Sequence, residues 1–110
     1  MTRGDIVIIK NNKATGHEQS GTRPAIIVSN NLCNRYSPVV EIVYATTSTQ
    51  KSKLPTHISI HSTQLRSIAL CESVYSVDKC RIERIIGHCT PQEMTNINTA
   101  LKISLGLEEV

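Results

Sequence analysis

The chain contains no Phe, no Trp and only three Tyr in 110 residues. A core without large aromatics must be assembled from Ile, Val and Leu, and branched aliphatics favour β structure because they pack well on a pleated surface. Long apolar runs are missing too. The run IVII, set between charge and glycine in MTRGDIVIIK, is too short for a membrane span or a signal peptide, so a cytoplasmic protein without membrane contact is expected. No C-x-x-C pair occurs, and no histidines stand at zinc-ligand spacing, although Cys89 follows His88 directly. The four cysteines, Cys33, Cys71, Cys80 and Cys89, are therefore expected to be reduced and mostly buried, with no disulfide and no metal site. Internal repeats, linkers and low-complexity tracts are also absent. The length suits a single domain, 1–110. Twelve Lys and Arg against nine Asp and Glu give a formal charge of +3, a mild excess that suits a polyanionic partner but falls short of a DNA-coating protein.

Residues 5–10, 25–29, 39–46, 57–61, 68–71, 74–77 and 84–88 read as short strands bounded by turn signals, with Pro24 opening the second strand and a turn or brief helix at 78–83. Many short strands in one small chain indicate a small barrel or sandwich. The end differs. In TPQE, Thr90 is an N-cap, Pro91 stands at the first helical position and Glu93 completes a capping box. Met94, Ile97, Leu101 and Leu105 recur near one face, so an amphipathic helix over 91–105 is expected to close the barrel.

Two long polar loops, 11–22 and 47–56, interrupt this economical plan, and loops of that length tend to carry function. Lys10, Lys13 and Arg23 flank or occupy the first; Lys51 and Lys53 lie in the second. If the second and third strands pair, Arg23 at the start of one lies beside Thr46 at the end of the other. A guanidinium next to a hydroxyl beneath basic loops suits a phosphate group. The competing reading is that Arg23 pairs with Asp5 or Glu18 on the surface and that Thr46 is an ordinary strand-end residue.

The segments RGDIVII, GHEQSGTRPAIIVSNN, NRYSPVVEIVYATTSTQKSKLPTHI, SVDKCRI and ALKISLGL, in that order, resemble the MazF/PemK family of toxin endoribonucleases from type II toxin–antitoxin pairs. The loop G-x-E-Q-x-G-x-R-P is the specific element of the resemblance. It implies a mainly β fold with a C-terminal helix, an SH3-like small barrel of the CcdB/PemK/MazF type. It further implies a homodimer that cuts single-stranded mRNA sequence-specifically without metal or other cofactor, and inhibition by a MazE-like antitoxin with an acidic, disordered tail. A U-A-C-containing pentamer is the implied recognition motif.

In the MazF branch the arginine of R-P and a threonine ending the third strand are the catalytic pair, which map onto Arg23 and Thr46. Glu18 is a candidate proton acceptor. His17 matches a histidine linked to catalysis in the Kid/PemK branch, but the later arginine and aspartate of that branch fall here on Leu70 and Glu72, so the chain reads as MazF-like. Thr47 and Ser48 compete with Thr46 for the catalytic hydroxyl and, with Lys13, Gln19, Asn30, Asn31, Gln50, Lys51 and Lys53, are the substrate-binding candidates. For the asparagines, capping and turn formation are the alternative. His57, His61 and His88 read as strand or surface residues. A CcdB-like inhibitor of DNA gyrase, without nuclease activity, is the alternative function on the same fold.

Overall fold

The computed structural model describes residues 1–11, 21–47, 54–63 and 66–109. Among these residues seven strands and two helices follow one another as β1 (Asp5–Asn11), β2 (Gly21–Ile27), α1 (Asn31–Tyr36), β3 (Val39–Thr46), β4 (His57–Ile60), β5 (Ser67–Leu70), β6 (Tyr75–Asp78), β7 (Ile82–His88) and α2 (Pro91–Ser104), with a 3-10 turn, Lys79–Arg81, before β7. All pairings are antiparallel, in the order β4-β5-β3-β2-β1-β7, with β6 also paired to β3.

The continuous apolar runs of the first three strands have a physical reason: both faces of this part of the sheet are covered. Alternate residues go to opposite sides. Ile6, Ile26 and Val43 join Ile60, Ala69, Cys71, Cys89, Ile97 and Ala100 in the cluster beneath α2. Val7, Ile9, Ala25, Ile27, Val40 and Ile42 form a second cluster with Val77 on the other side. No aromatic ring belongs to the fully buried set, as the composition requires.

Helix α2 begins on the expected capping box, and Glu93 does more than cap. Its carboxylate accepts from the Thr90 amide (2.9 Å), the His61 amide (2.6 Å) and the Ser62 hydroxyl (2.6 Å), tying the helix to the end of β4. The helix buries Glu93, Ile97 and Ala100, with Met94 and Leu101 packed against that core. Leu105 corrects the expected apolar face. It is the C-cap, 62% exposed, because the helix ends there and Gly106 turns the chain away with φ +76°.

Three further corrections concern local structure. Strand β2 begins at Gly21 rather than Ala25, because Asn11, Lys10 and Ile9 of β1 supply partners to Gly21, Thr22 and Arg23; Arg23 therefore lies within the strand. Residues 31–36, read as a break in the pattern, form α1, where the Asn30 side chain accepts from the Cys33 amide at 2.8 Å. Cys71 and Cys89 are buried, and burial pushes both thiols up to about 12, but Cys33 and Cys80 are exposed. Among the described residues no helix is long and apolar enough to cross a membrane.

Candidate active site

The backbone explains why Arg23 stands at an opening in the sheet. The Val28 amide donates to Glu41 of β3 (2.9 Å), whereas the Ile27 carbonyl accepts from Gly4 (2.8 Å), so even-numbered residues of this segment point their amides towards β3. Pro24 is the even position at which the next rung towards β3 falls, and its ring nitrogen has no hydrogen to give. The β2–β3 ladder accordingly stops at Ala25↔Tyr44. Beyond that point Thr46 pairs with Ile68 of β5, and among the described residues Arg23 has a strand partner in β1, Ile9.

Carried two residues outward, the Ala25↔Tyr44 register sets Arg23 opposite Thr46. Parity places both on the sheet face that carries Ala25 and Tyr44. Thr47 turns to the other face, where it lines a cavity of about 430 Å³ with Ile6, Ile8, Pro24, Thr63, Ser67 and Ile86.

Arg23 is exposed, but its guanidinium does not hang free. Its Cζ lies 4.1 Å from the centroid of the Tyr44 ring, and Tyr44 in turn meets Tyr75 at 5.3 Å between centroids, tilted by 58°. Arg23, Tyr44, Leu70, Glu72, Ser73 and Tyr75 line a small concavity of about 70 Å³. Glu72 is engaged away from the arginine. Its Oε2 meets His57 Nε2 at 3.0 Å and its Oε1 accepts from the Thr56 hydroxyl at 3.2 Å. Burial pushes the Glu72 carboxyl up, but the bonds from His57, its own backbone amide and Thr56 outweigh this and hold it below the usual value. His57 Nδ1 is buried and has no hydrogen-bond partner among the described residues. Lys10 and Arg81 add positive charge at the same end of β1, where Arg81 Nε donates to the Lys10 carbonyl at 3.3 Å.

Asp5, one proposed surface partner of Arg23, is occupied elsewhere: it accepts from the Thr2 amide (2.7 Å) and meets His88 Nδ1 at 2.8 Å. The expected Lys13, His17, Glu18, Gln19, Ser48, Gln50, Lys51 and Lys53 lie outside the described residues. Asn30 and Asn31 stand beyond the opposite end of β2. Asn30 caps α1, while the Asn31 side chain accepts from the Arg3 amide at 2.6 Å. Within one chain they are not brought to Arg23. Among the described residues no three His, Cys, Asp or Glu side chains converge as a metal-binding group would.

A family profile described as PemK-like, MazF-like toxin of type II toxin-antitoxin system matches residues 2–105. The chain belongs to this family. It is 33% identical, over all of its length and 95% of the relative's, to endoribonuclease MazF of Staphylococcus saprophyticus subsp. saprophyticus. A solved mycobacterial endoribonuclease in complex with its cognate antitoxin superposes with a TM-score of 0.83 at 30% identity, covering 100% of this chain and 99% of that one. MazF in a MazE–MazF structure from Deinococcus radiodurans shares the fold with a TM-score of 0.83 at 19% identity, covering 98% and 97%.

Beside the expected Arg23 and Thr46, Tyr44 and Tyr75 are neighbours that sequence reasoning missed. Two of the three tyrosines, in a chain without Phe or Trp, stand beside Arg23. The signal was their scarcity, but it becomes legible only once the β2–β3 and β3–β6 registers are known. Glu72, noted only as a counterpart of the Kid/PemK aspartate, also lines this concavity, supported by His57 and Thr56.

Proposed function

We propose that the protein is a cytoplasmic toxin endoribonuclease that cleaves single-stranded mRNA at a short motif, without a metal ion, by attack of the 2′-OH. In this reaction the 2′-oxygen forms a bond to phosphorus as the bond to the 5′-oxygen breaks. A base takes the 2′-OH proton and an acid returns one to the departing oxygen, leaving a 2′,3′-cyclic phosphate and a 5′-OH. RNA carries its own nucleophile, so the protein need only align it, stabilise the phosphoryl oxygens and move protons. Arg23 supplies two parallel N–H donors to the phosphoryl oxygens. Thr46 hydrogen-bonds the phosphate or holds the attacking hydroxyl. Glu18 and His17 are the proton-transfer candidates, and the lysines of both loops hold the RNA.

The observation that carries this reading is the shared face of Arg23 and Thr46, at the point where Pro24 ends the β2–β3 ladder. The protein acts as a homodimer and is silenced by a MazE-like antitoxin whose acidic tail occupies the basic groove that RNA needs. Structures of related toxins bound to their antitoxins support that partner class.

Incubation with a long RNA, and separately with DNA gyrase, tests the reading. RNA is expected to be cut at a recurring motif with cyclic-phosphate ends, while gyrase supercoiling is unaffected. Inhibition of gyrase with intact RNA contradicts it and favours a CcdB-like inhibitor.

A further inference from the structure

An exposed arginine has long torsional freedom, and a catalytic guanidinium that wanders contributes little to orientation. Arg23 has a device against this. Ala25, directly opposite Tyr44 on β3, is too small to cover the tyrosine ring, so the Arg23 side chain, two residues along the same face, lies across it with Cζ 4.1 Å from the centroid. That distance is well within cation–π range. The ring itself is held on two sides. Its backbone belongs to the buried strand β3, with Tyr44 packed against the Val7–Ile9–Ala25 cluster, and Tyr75 of β6 meets it at 5.3 Å and 58°, a favourable tilted aromatic geometry. Tyr75 is placed there by the β3–β6 ladder, in which it faces Ile42, two residues before Tyr44.

We propose that Tyr44, braced by Tyr75, is a positioning residue: its ring face fixes the Arg23 guanidinium in the orientation that meets the scissile phosphate. This rests on the reading of Arg23 as the phosphate-stabilising group. The ring rather than the phenol hydroxyl does the positioning, because the contact is made to the ring face. The planar guanidinium stacks on the ring while leaving its edge N–H groups for the phosphoryl oxygens.

The test compares wild-type protein with Tyr44→Leu and Tyr44→Phe on one single-stranded RNA. Thermal melts accompany the kinetics. Tyr44→Leu is expected to lower kcat roughly tenfold with KM nearly unchanged, since a misdirected catalytic group weakens the transition state more than ground-state binding. Tyr44→Phe, which keeps the ring, recovers most of kcat. In RNA-free protein the Arg23 Nε–H resonance is shifted upfield by the ring in wild type and in Tyr44→Phe. A folded Tyr44→Leu with wild-type kcat, or a Tyr44→Phe as impaired as the leucine variant, overturns the inference. If Tyr44→Leu does not fold, an Arg23 Nε–H resonance at its unstructured position in wild type overturns it instead. Full activity of a folded Arg23→Ala defeats the underlying catalytic reading; an inactive Arg23→Ala beside a fully active Tyr44→Leu defeats only the role of Tyr44.

Discussion

Strand parity sends two neighbouring hydroxyls, Thr46 and Thr47, to opposite faces of the sheet. In the run Thr46, Thr47, Ser48 the sequence offers identical chemistry at adjacent positions, and no composition argument separates them. The pleat separates the first two: Thr46 shares the face of Tyr44 and Arg23, while Thr47 lines the cavity on the other side with Pro24 and Ile86. Thr46→Ala is therefore expected to slow cleavage about tenfold or more at saturating RNA, the scale of losing one transition-state contact, and Thr46→Ser to recover part of it. Thr47→Ala is expected to leave kcat within about twofold, since that side chain faces away from Arg23 and the proposed phosphate site. Single-turnover rates of the three variants check this, and equal losses at both positions contradict the parity argument. The place of Arg23 beside a buried strand was legible from R-P, while its expected role rested on the family resemblance. Its support on Tyr44 was not legible, because that contact depends on a register between strands 19 residues apart, Ala25 against Tyr44.

Among the elements, α2 shows what local chemistry can specify. TPQE announces the helix start from four adjacent residues, and the cap forms as expected. What the local signal could not convey is that Glu93 also binds the His61 amide and Ser62 hydroxyl, 32 and 31 residues away in sequence. Removing that carboxylate with Glu93→Ala is expected to cost about 2–3 kcal/mol, a cap plus buried partners left unsatisfied, measurable by urea unfolding at pH 7. Burial pushes the Glu93 carboxyl up, but the bonds from Ser62, His61 and Thr90 prevail and its folded-state pKa is lowered. A carboxyl with a lower pKa folded than unfolded stabilises fully above the unfolded value and loses that contribution as pH falls through the folded one. Asp5 is also lowered, its burial outweighed by the bonds from Thr2 and His88, and Glu72 shifts in the same direction. Stability should therefore drop as pH falls from about 5 towards 3, with a shallower slope in Glu93→Gln. An unchanged slope contradicts this account of the staple. Elsewhere, element ends were set by partners rather than by local residues: β2 gains Gly21–Arg23 because β1 extends to Asn11. Helix α1 rests on a six-residue stretch too short to show periodicity, with Asn30 as its cap. Leu105 has the right spacing but falls where the helix ends.

At the scale of the molecule, a mainly β fold with a C-terminal helix was legible because branched aliphatics, turn residues and one capping box agree. The expected homodimer came from the family resemblance rather than from composition or periodicity, since a single chain shows faces but no occupant. Light scattering at micromolar concentration is expected to give twice the chain mass, with a clean monomer contradicting the dimeric reading. The account depends most on one residue. Cleavage of a single-stranded RNA in EDTA, at saturating substrate, by wild type, Arg23→Lys and Arg23→Ala, each shown folded by thermal melting, tests it directly. Wild type is expected to cut at full rate without added metal. Both variants should fall by roughly a hundredfold or more, because one ammonium cannot replace the forked guanidinium in the transition state. Wild-type rates in folded Arg23→Ala, or wild-type activity lost in EDTA and restored by magnesium, contradict the mechanism.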